Sequence, residues 1–278
     1  MLRLLNIELH KLKYNKSAKV ITLVYFILIT FIALIASIEF NIGEFNFRMA
    51  DQGIFNFPYI WHFNTYVAAW LKIFFAIIIV SMIANEYSNK TLKQNLIDGL
   101  SKKEFLLSKF LTVIGFALIS TLFVFIVSLI LGLVFSDYNE IGIIFSDMEY
   151  LLAYFVNLLG FFSFCLFMGV LVKRSAFALG FLTIWFIIEW IVYALMRFNF
   201  FKGTDIADKI SQFFPLMSMW NLLVEPGSRL GAVQSLASQV GESFDKDYSV
   251  QPLTMLIVLV WTFLFIYWSY YILKKRDL

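Results

Sequence analysis

The sequence predicts an all-α integral membrane protein with six transmembrane helices. Hydrophobic residues make up 61% of the 278 residues and charged residues 15%, whereas soluble domains carry roughly 25% charged residues. The chain has one cysteine, so no disulfide can form within it. Six apolar segments are long enough to cross a hydrocarbon core of about 30 Å as helices. They are predicted at about 20–38, 66–84, 110–135, 150–172, 175–196 and 253–273.

The segment before the first crossing, residues 1–19, is predicted to contain a helix that lies in the membrane interface. Leu2, Leu5, Leu9 and Leu12 recur at helical spacing, and most charged residues fall on other faces. A helix with one apolar and one basic face is stable at the boundary between headgroups and acyl chains.

The basic residues predict how the crossings are oriented. If the segment before the first crossing is cytoplasmic, fifteen of the 22 Lys and Arg residues lie on the cytoplasmic side and six on the outer side. Cytoplasmic loops carry the excess of Lys and Arg. We therefore expect a multi-pass protein of the inner, or cytoplasmic, cell membrane with both termini in the cytoplasm.

The loop between the second and third crossings, residues 85–109, is polar and basic. It reads NEYSNKTLKQNLIDGLSKKEFLLSK. Leu92, Leu96 and Leu100 recur every four residues, with Ile97 beside them, which is typical of a short amphipathic helix.

The same loop carries signals for where its helix ends and the next begins. Gly99 offers the left-handed conformation that stops a helix. Ser101, with Glu104 three residues later, forms a capping box before the apolar run of the third crossing. The loop is therefore predicted to be a capped helical hairpin, which is rigid enough to transmit force.

Residues 197–252 are predicted to form an outer segment with short helices before the last crossing. Residues 213–230 are apolar and aromatic, but Pro226 and Gly227 interrupt them. This stretch is too interrupted to cross the bilayer alone. We expect an outer helix that dips back into the membrane against protein.

Three polar residues within the predicted crossings are candidates for a translocation path: Glu189, Asn157 and Lys72. A charge at mid-bilayer costs roughly 2.5–3.5 kcal/mol on insertion scales. Glu189 either lines a substrate path or a dimer seam, or joins two helices by hydrogen bonds. Lys72 is expected to snorkel from the outer end of its helix, with pairing to Glu189 or Glu39 as the alternative. Asn157 either bonds between helices or contacts the substrate.

Two pairs of small residues predict close approach between helices. Cys165 and Gly169 lie four residues apart, as do Ala176 and Gly180. Small side chains at this spacing let membrane helices pack closely. We expect a packing role in the fourth and fifth crossings.

The sequence indicates no enzyme chemistry. The motifs H-E-x-x-H and G-x-S-x-G are absent, and the dipeptide GK does not occur, so there is no G-x-x-x-x-G-K-[ST] phosphate loop. We expect no catalytic residue, metal site or cofactor in this chain, and no nucleic-acid partner. If transport uses ATP, another polypeptide must bind it.

The loop pattern E-x4-TLK-x6-LSKKEFLLSKF, together with six crossings, an interfacial helix and the short turn VKRSAFALG at 172–180, resembles the permease subunits of ATP-binding-cassette transporters of the exporter-like ABC-2 type. The resemblance covers residues 1–278 as one transmembrane domain. It implies that residues 88–100 are a coupling helix seated on an ATPase. The coupling residues that it implies are Glu86, Thr91, Leu92, Lys93, Leu96, Leu100 and Ser101.

The same resemblance implies partners and a direction of transport. Two copies of an ATPase subunit would bind ATP and Mg²⁺, and a second permease copy or a homologous permease would complete the assembly in the lipid bilayer. Transport would be export. The sequence does not name the substrate, and peptide antibiotics, lipids, glycans and drugs all stay open.

Two other functions remain as alternatives. A secondary transporter or channel would use an ion gradient, and such proteins carry broken helices near the bilayer midplane. The four prolines, Pro58, Pro215, Pro226 and Pro252, all lie outside the predicted crossings, which argues against such breaks. A non-transporting membrane scaffold needs no cavity.

Overall fold

In the computed structural model, residues 2–42, 45–48, 53–240 and 246–276 are described, and they form helices and one short hairpin. The α-helices are α1 Leu2–Tyr14, α2 Lys16–Ser37, α3 Tyr59–Trp70, α4 Ile73–Ser88, α5 Thr91–Ile97, α6 Lys102–Phe135, α7 Ile141–Ile144, α8 Glu149–Val172, α9 Ser175–Leu195, α10 Ile206–Ser211, α11 Pro215–Asn221, α12 Gly231–Val240 and α13 Pro252–Lys275. The predicted helical class is confirmed. The hairpin, β1 Glu39–Ile42 paired antiparallel with β2 Phe45–Arg48, was not predicted.

Five helical spans are long and apolar enough to cross a membrane, and a bent pair of helices makes a sixth if the pair is counted as one span. The five are Lys16–Ala36, Lys102–Phe135, Ile141–Val172, Ser175–Phe200 and Pro252–Lys275. They agree with five of the predicted crossings and extend several of them. The multi-pass membrane character of the chain is therefore confirmed.

The second predicted crossing, at about 66–84, differs from the structure. The helical segment starts earlier, at Tyr59, and consists of two helices, α3 and α4, whose axes differ by 43°. At the break, the amides of Leu71 and Phe74 bond to carbonyls three residues back, Ala68 and Leu71. Bonds of this tighter kind replace the regular helical ladder and change the direction of the chain. The prediction of an unbroken second helix is wrong.

Helix α8 is the centre of the bundle. It packs against α3, α4, α6, α9 and α13. Of the most apolar 18-residue stretch of its span, 72% is buried inside the protein. The corresponding figures are 22% for the α2 span and 11% for the α9 span. Most of the surface of α2 and α9 is therefore left for lipid or for another polypeptide.

Two glycines of α8 let its neighbours approach closely. A Cβ built on Gly160 would lie 2.7 Å from Val258 of α13, and one on Gly169 would lie 3.0 Å from Ile83 of α4. The predicted close approach at Gly169 is confirmed. At Gly180 it is not seen, because nothing in the described part of the chain lies within 4 Å of a Cβ built there.

A cluster of three buried hydroxyl groups joins the first, third and fourth crossings. Tyr25 of α2 bonds to Tyr154 of α8 at 2.9 Å, Ser120 of α6 bonds to Tyr154 at 2.8 Å, and Tyr25 and Ser120 also bond to each other. All three residues are fully buried. Each hydroxyl can donate and accept, so the group satisfies its own polar atoms within an apolar bundle.

The predicted outer segment contains α10, α11 and α12, while its residues 241–245 lie outside the described residues. Helix α11 is largely buried and packs against α8, α9 and α13. Trp261 of α13 donates a hydrogen bond to the Phe213 carbonyl just before α11, at 2.9 Å. The predicted contact of this stretch with the crossings is confirmed. Its depth in a membrane stays a prediction.

Candidate functional site

The loop at 85–109 is a capped helical turn, as predicted, although its helix is shorter than the predicted 88–100. Helix α5 follows Lys90, whose φ of 55° is left-handed, and ends before Gly99, whose φ is 96°. The Gly99 amide bonds to the Leu96 carbonyl and the Leu100 amide to the Asn95 carbonyl. This pair of bonds is the Schellman arrangement that glycine permits at a helix end.

Helix α6 begins with the predicted capping box. The Glu104 amide donates to Ser101 Oγ at 3.1 Å, and the Ser101 amide donates to Glu104 Oε2 at 2.9 Å. Both bonds satisfy amides that a helix start would leave without partners. Ser101 therefore sets where α6 starts.

Glu86 lies at the end of α4 and connects the loop to the rest of the protein. Its Oε1 accepts from Lys11 at 2.7 Å and from Lys109 at 2.6 Å. Its Oε2 accepts from Thr91 Oγ1 at 2.5 Å and from Asn95 Nδ2 at 3.4 Å. The last two residues belong to α5. One carboxylate therefore joins α5 to α1 and α6.

A second carboxylate completes what we call the ion cluster, which consists of Glu8, Lys11, Glu86 and Lys109. Glu8 of α1 accepts from Lys109 at 2.7 Å and from Ser108 at 3.4 Å. The side chain of Lys109 has no exposed surface, and those of Glu8 and Glu86 are 2% and 5% exposed. Two carboxylates balance two ammonium groups, which is the condition under which buried charges are tolerated.

Lys11 is the exposed member of the ion cluster, with 39% of its side chain accessible. Burial lowers the pKa of Lys11, but the hydrogen bond to Glu86 and the charges of Glu8 and Glu86 outweigh it and raise that pKa above its ordinary value. Lys11 therefore stays charged at neutral pH. The pair formed by Lys11 and Glu86 joins the N-terminal helix to the loop.

The apolar stripe of α5 faces the rest of the chain. Leu92 is buried, and Leu96 and Leu100 are partly buried against the core. Ile97 is 70% exposed, and Lys93 is exposed as well. A stripe at every fourth position marks the face that packs inward, so Ile97, one position away from it, points to the surface. The hydrophobic pattern alone did not separate Ile97 from the stripe.

On α1, the buried face differs in part from the predicted stripe of leucines. Leu4 and Glu8 are buried, whereas Leu9 is 49% exposed. The helix packs on α6, and Glu8 is buried there because Lys109 provides its counter-charge. A hydrophobic pattern has no means to indicate that a glutamate lies inward.

Two of the three candidate path residues meet in a pocket of about 170 Å³, which we call the lateral pocket. Lys72 lies at the break between α3 and α4, and its Nζ donates to Asn157 Oδ1 of α8 at 2.9 Å. Asn157 Nδ2 donates to the Met219 carbonyl of α11. Asn157 therefore bridges the broken crossing and the outer helix. Lys72 bonds to Asn157, and no ion pair with Glu189 is seen among the described side chains, to which that of Glu39 does not belong. Its position at the outer end of a crossing stays a prediction.

Glu189 anchors the first turn of α11. Its carboxylate accepts from the amides of Leu216 at 3.2 Å and Met217 at 2.8 Å, and from Trp185 Nε1 at 2.7 Å. Two amides at a helix start are thereby satisfied, and the negative charge lies where the helix dipole favours it. Glu189 is connected to the lateral pocket through Leu216, which lines it.

Among the residues that the structure describes, no three His, Cys, Asp or Glu side chains are grouped so as to hold a metal ion. In the loop, Thr91 bonds to Glu86. In the lateral pocket, Asn157 bonds to Lys72 and to the Met219 carbonyl.

A family model described as "ABC-2 family transporter protein" matches residues 4–189. The match spans more than half of the chain and includes α1, the loop at 85–109, Lys72, Asn157 and Glu189. No curated protein matches the chain.

Proposed function

Because the chain belongs to the ABC-2 family of transporter proteins, we propose that it is the membrane-spanning permease subunit of an exporter driven by a separate ATPase. The ATPase subunits, two per assembly, bind ATP and Mg²⁺. A second copy of this chain or a homologous permease completes the membrane part. The assembly lies in the cytoplasmic membrane, with both termini and the loop at 85–109 in the cytoplasm.

The observation that carries the proposal is the ion cluster behind α5. Helix α5 is joined to α4 by a chain turn of two residues and to Glu86 by Thr91 and Asn95. Glu86 is joined in turn to Lys11 on α1 and Lys109 on α6. A force applied to α5 therefore reaches three other helices without passing through a flexible linker. Conversion of ATPase closure into helix motion needs such a connection.

The surface that would meet the ATPase is the outward face of α5. Ile97 and Lys93 are exposed there, and Lys90 and Lys103 are exposed on either side of the helix. Isolated apolar side chains within a basic surface are suited to docking in a cleft of complementary charge. Leu92 belongs to the inward face and would keep α5 in place.

Co-purification with the ATPase tests this proposal. We expect Ile97→Asp to abolish the complex and the ATP turnover that depends on it, because a carboxylate replaces an apolar contact at the centre of the docking face. The permease should still elute as a folded protein. Ile141→Asp is the matched control, since Ile141 is 76% exposed and lies on another short helix, α7.

The outcome that contradicts the proposal is an intact complex with normal turnover in the Ile97→Asp variant. Leu92→Asp is less informative, because Leu92 is 2% exposed and a buried aspartate would destabilise the loop itself. If both Ile97→Asp and Ile141→Asp lose the complex, the loss reflects damage to the protein rather than to docking.

A second candidate function, transport driven by an ion gradient, is favoured by one observation. The crossing formed by α3 and α4 is broken at a lysine, and broken helices near the midplane are typical of gradient-driven transporters. In proteoliposomes that contain the ATPase, the exporter requires ATP and the gradient-driven transporter does not. Uptake or efflux that persists without ATP would favour the second candidate.

A further inference from the structure

Among the described side chains, Lys72 has no carboxylate partner, in contrast to the buried Lys109. Its Nζ donates to the neutral oxygen of Asn157 at 2.9 Å and lies 4.7 Å from the centre of the Phe161 ring. No described carboxylate lies within 4 Å of it. Lys109, by contrast, contacts two carboxylates. An ammonium group has three donors, so Lys72 has capacity for a further, charged acceptor.

The walls around Lys72 are apolar and aromatic. Trp70, Trp220 and Phe186 line the lateral pocket together with Leu182 and Leu216. Trp70 is 56% exposed and Ile73 is 42% exposed, so the pocket is open beside the α3–α4 break. The opening is on a side of the bundle that would face lipid, because α9 next to it is mostly exposed.

We infer that the lateral pocket binds an amphipathic anion, with a carboxylate or phosphate head on Lys72 Nζ and an apolar body against Trp70, Trp220 and Phe186. The head supplies a counter-charge that none of the described side chains gives to Lys72. The apolar body packs against the aromatic rings in place of a lipid chain, through dispersion contacts that need no further polar partner. A charge-assisted bond in a poorly solvated pocket is stronger than the same bond in water.

This inference deepens the proposed function, because such a ligand would enter from the bilayer as the substrate. The binding itself does not need the ATPase. If Ile97→Asp does not affect the complex with the ATPase, the proposal of a ligand in the lateral pocket still stands. If no ligand binds in the pocket, the proposal that α5 docks on the ATPase still stands. The two proposals therefore fail separately.

Tryptophan quenching by brominated lipids tests the inference on the purified permease in lipid nanodiscs. Trp70 and Trp220 are two of the seven tryptophans of the chain and lie in the pocket wall. We expect 9,10-dibromostearate to quench fluorescence with a saturable component at low mole fraction. Its methyl ester, which lacks the anion, and brominated phosphatidylcholine should give only the gradual quenching of bulk lipid.

Variants at Lys72 supply the second arm of the experiment. Lys72→Met should raise the apparent dissociation constant of dibromostearate about tenfold or more, the difference that one charge-assisted contact makes. Lys72→Arg, which keeps the charge, should stay within about threefold. Lys19→Met is the matched control, because it removes a lysine from a different apolar groove, beside Leu23 and Phe26.

Three outcomes would overturn the inference. One is equal saturable quenching by the acid and its methyl ester, a comparison that uses the unaltered protein and does not depend on how a variant folds. Another is unchanged affinity in Lys72→Met. The last is an affinity of inorganic phosphate equal to that of dibromostearate in a competition experiment, which would mean that the head alone is recognised and that the apolar body adds nothing.

Discussion

Lys109 shows how a charge buried inside the protein is accommodated. It has no exposed surface, yet its Nζ lies 2.7 Å from Glu8 and 2.6 Å from Glu86. The desolvation of an ammonium group is offset only when its partners are close and are themselves satisfied. Glu8 and Glu86 meet that condition through Ser108, Thr91 and Lys11.

Replacement of Lys109 by methionine should destabilise the protein strongly. Lys109→Met keeps the length of the side chain but leaves two buried carboxylates with only Lys11 as a cation nearby. Removal of one partner from a buried ion pair costs about 3–5 kcal/mol. We expect a lower melting temperature in detergent and loss of ATPase binding, since α5 is held through the same carboxylate.

The combined change Lys109→Met with Glu8→Gln and Glu86→Gln is the control for that prediction. It removes the uncompensated charge and should recover part of the lost thermal stability. A single Lys109→Met variant as stable as the unchanged protein would contradict the role given to the ion cluster.

At the scale of the element, the loop at 85–109 was the part best predicted from the sequence. Gly99 and the pair Ser101 and Glu104 act on neighbouring residues, so their signals are local and their structures match the prediction. The partners of Glu86 are not local, because Lys11 lies 75 residues away and Lys109 lies 23 residues away. Spacing along one helix carries no information about contacts of that kind.

The break between α3 and α4 was missed for a related reason. Hydropathy is averaged over a window as long as a crossing, and the residues around Leu71 and Lys72 are apolar enough to pass. The bend depends on a change from regular to tighter backbone bonds over a few residues. Neither proline nor glycine marks the position in the sequence, so the usual signals of a kink are absent.

The attachment of α11 to α9 gives a prediction at the same scale. In Glu189→Gln, one of the two carboxylate oxygens becomes an amide nitrogen, which cannot accept a hydrogen bond. Because Leu216 donates to Oε1 and Met217 to Oε2, one of these two backbone bonds is lost. We expect hydrogen exchange in the first turn of α11 to be about tenfold faster or more, because the loss of a buried hydrogen bond costs about 1–3 kcal/mol.

Exchange measured by mass spectrometry on a peptide that covers residues 213–221 would check this. Trp185→Phe is the control, because it removes the third donor to Glu189 but leaves both backbone bonds in place. Unchanged exchange in Glu189→Gln would show that α11 is held by its apolar packing alone. ATPase binding should be unaffected in both variants, because α5 makes none of these contacts.

At the scale of the whole molecule, the sequence predicted that the helices cross a membrane but not which of them is central. Residues that face lipid and residues that face protein are both apolar, so α8 and α9 look alike in hydropathy. The difference lies in how much of each is covered: 72% of the α8 window and 11% of the α9 window are buried. The small residues give part of the missing information, since Gly169 lies at a close contact whereas Gly180 does not.

The two glycines therefore provide a matched pair of substitutions that tests the arrangement of the bundle. In Gly169→Leu, the new side chain would start 3.0 Å from Ile83, and overpacking of this kind costs about 1–3 kcal/mol. We expect a lower melting temperature and a poorer yield of monodisperse protein.

In Gly180→Leu, the side chain would meet open space within the described chain, so the melting temperature of the isolated subunit should not change. Equal stability of the two variants would contradict the central position of α8. If Gly180→Leu leaves the single subunit stable but prevents two copies from associating, the exposed face of α9 is covered by a second subunit rather than by lipid.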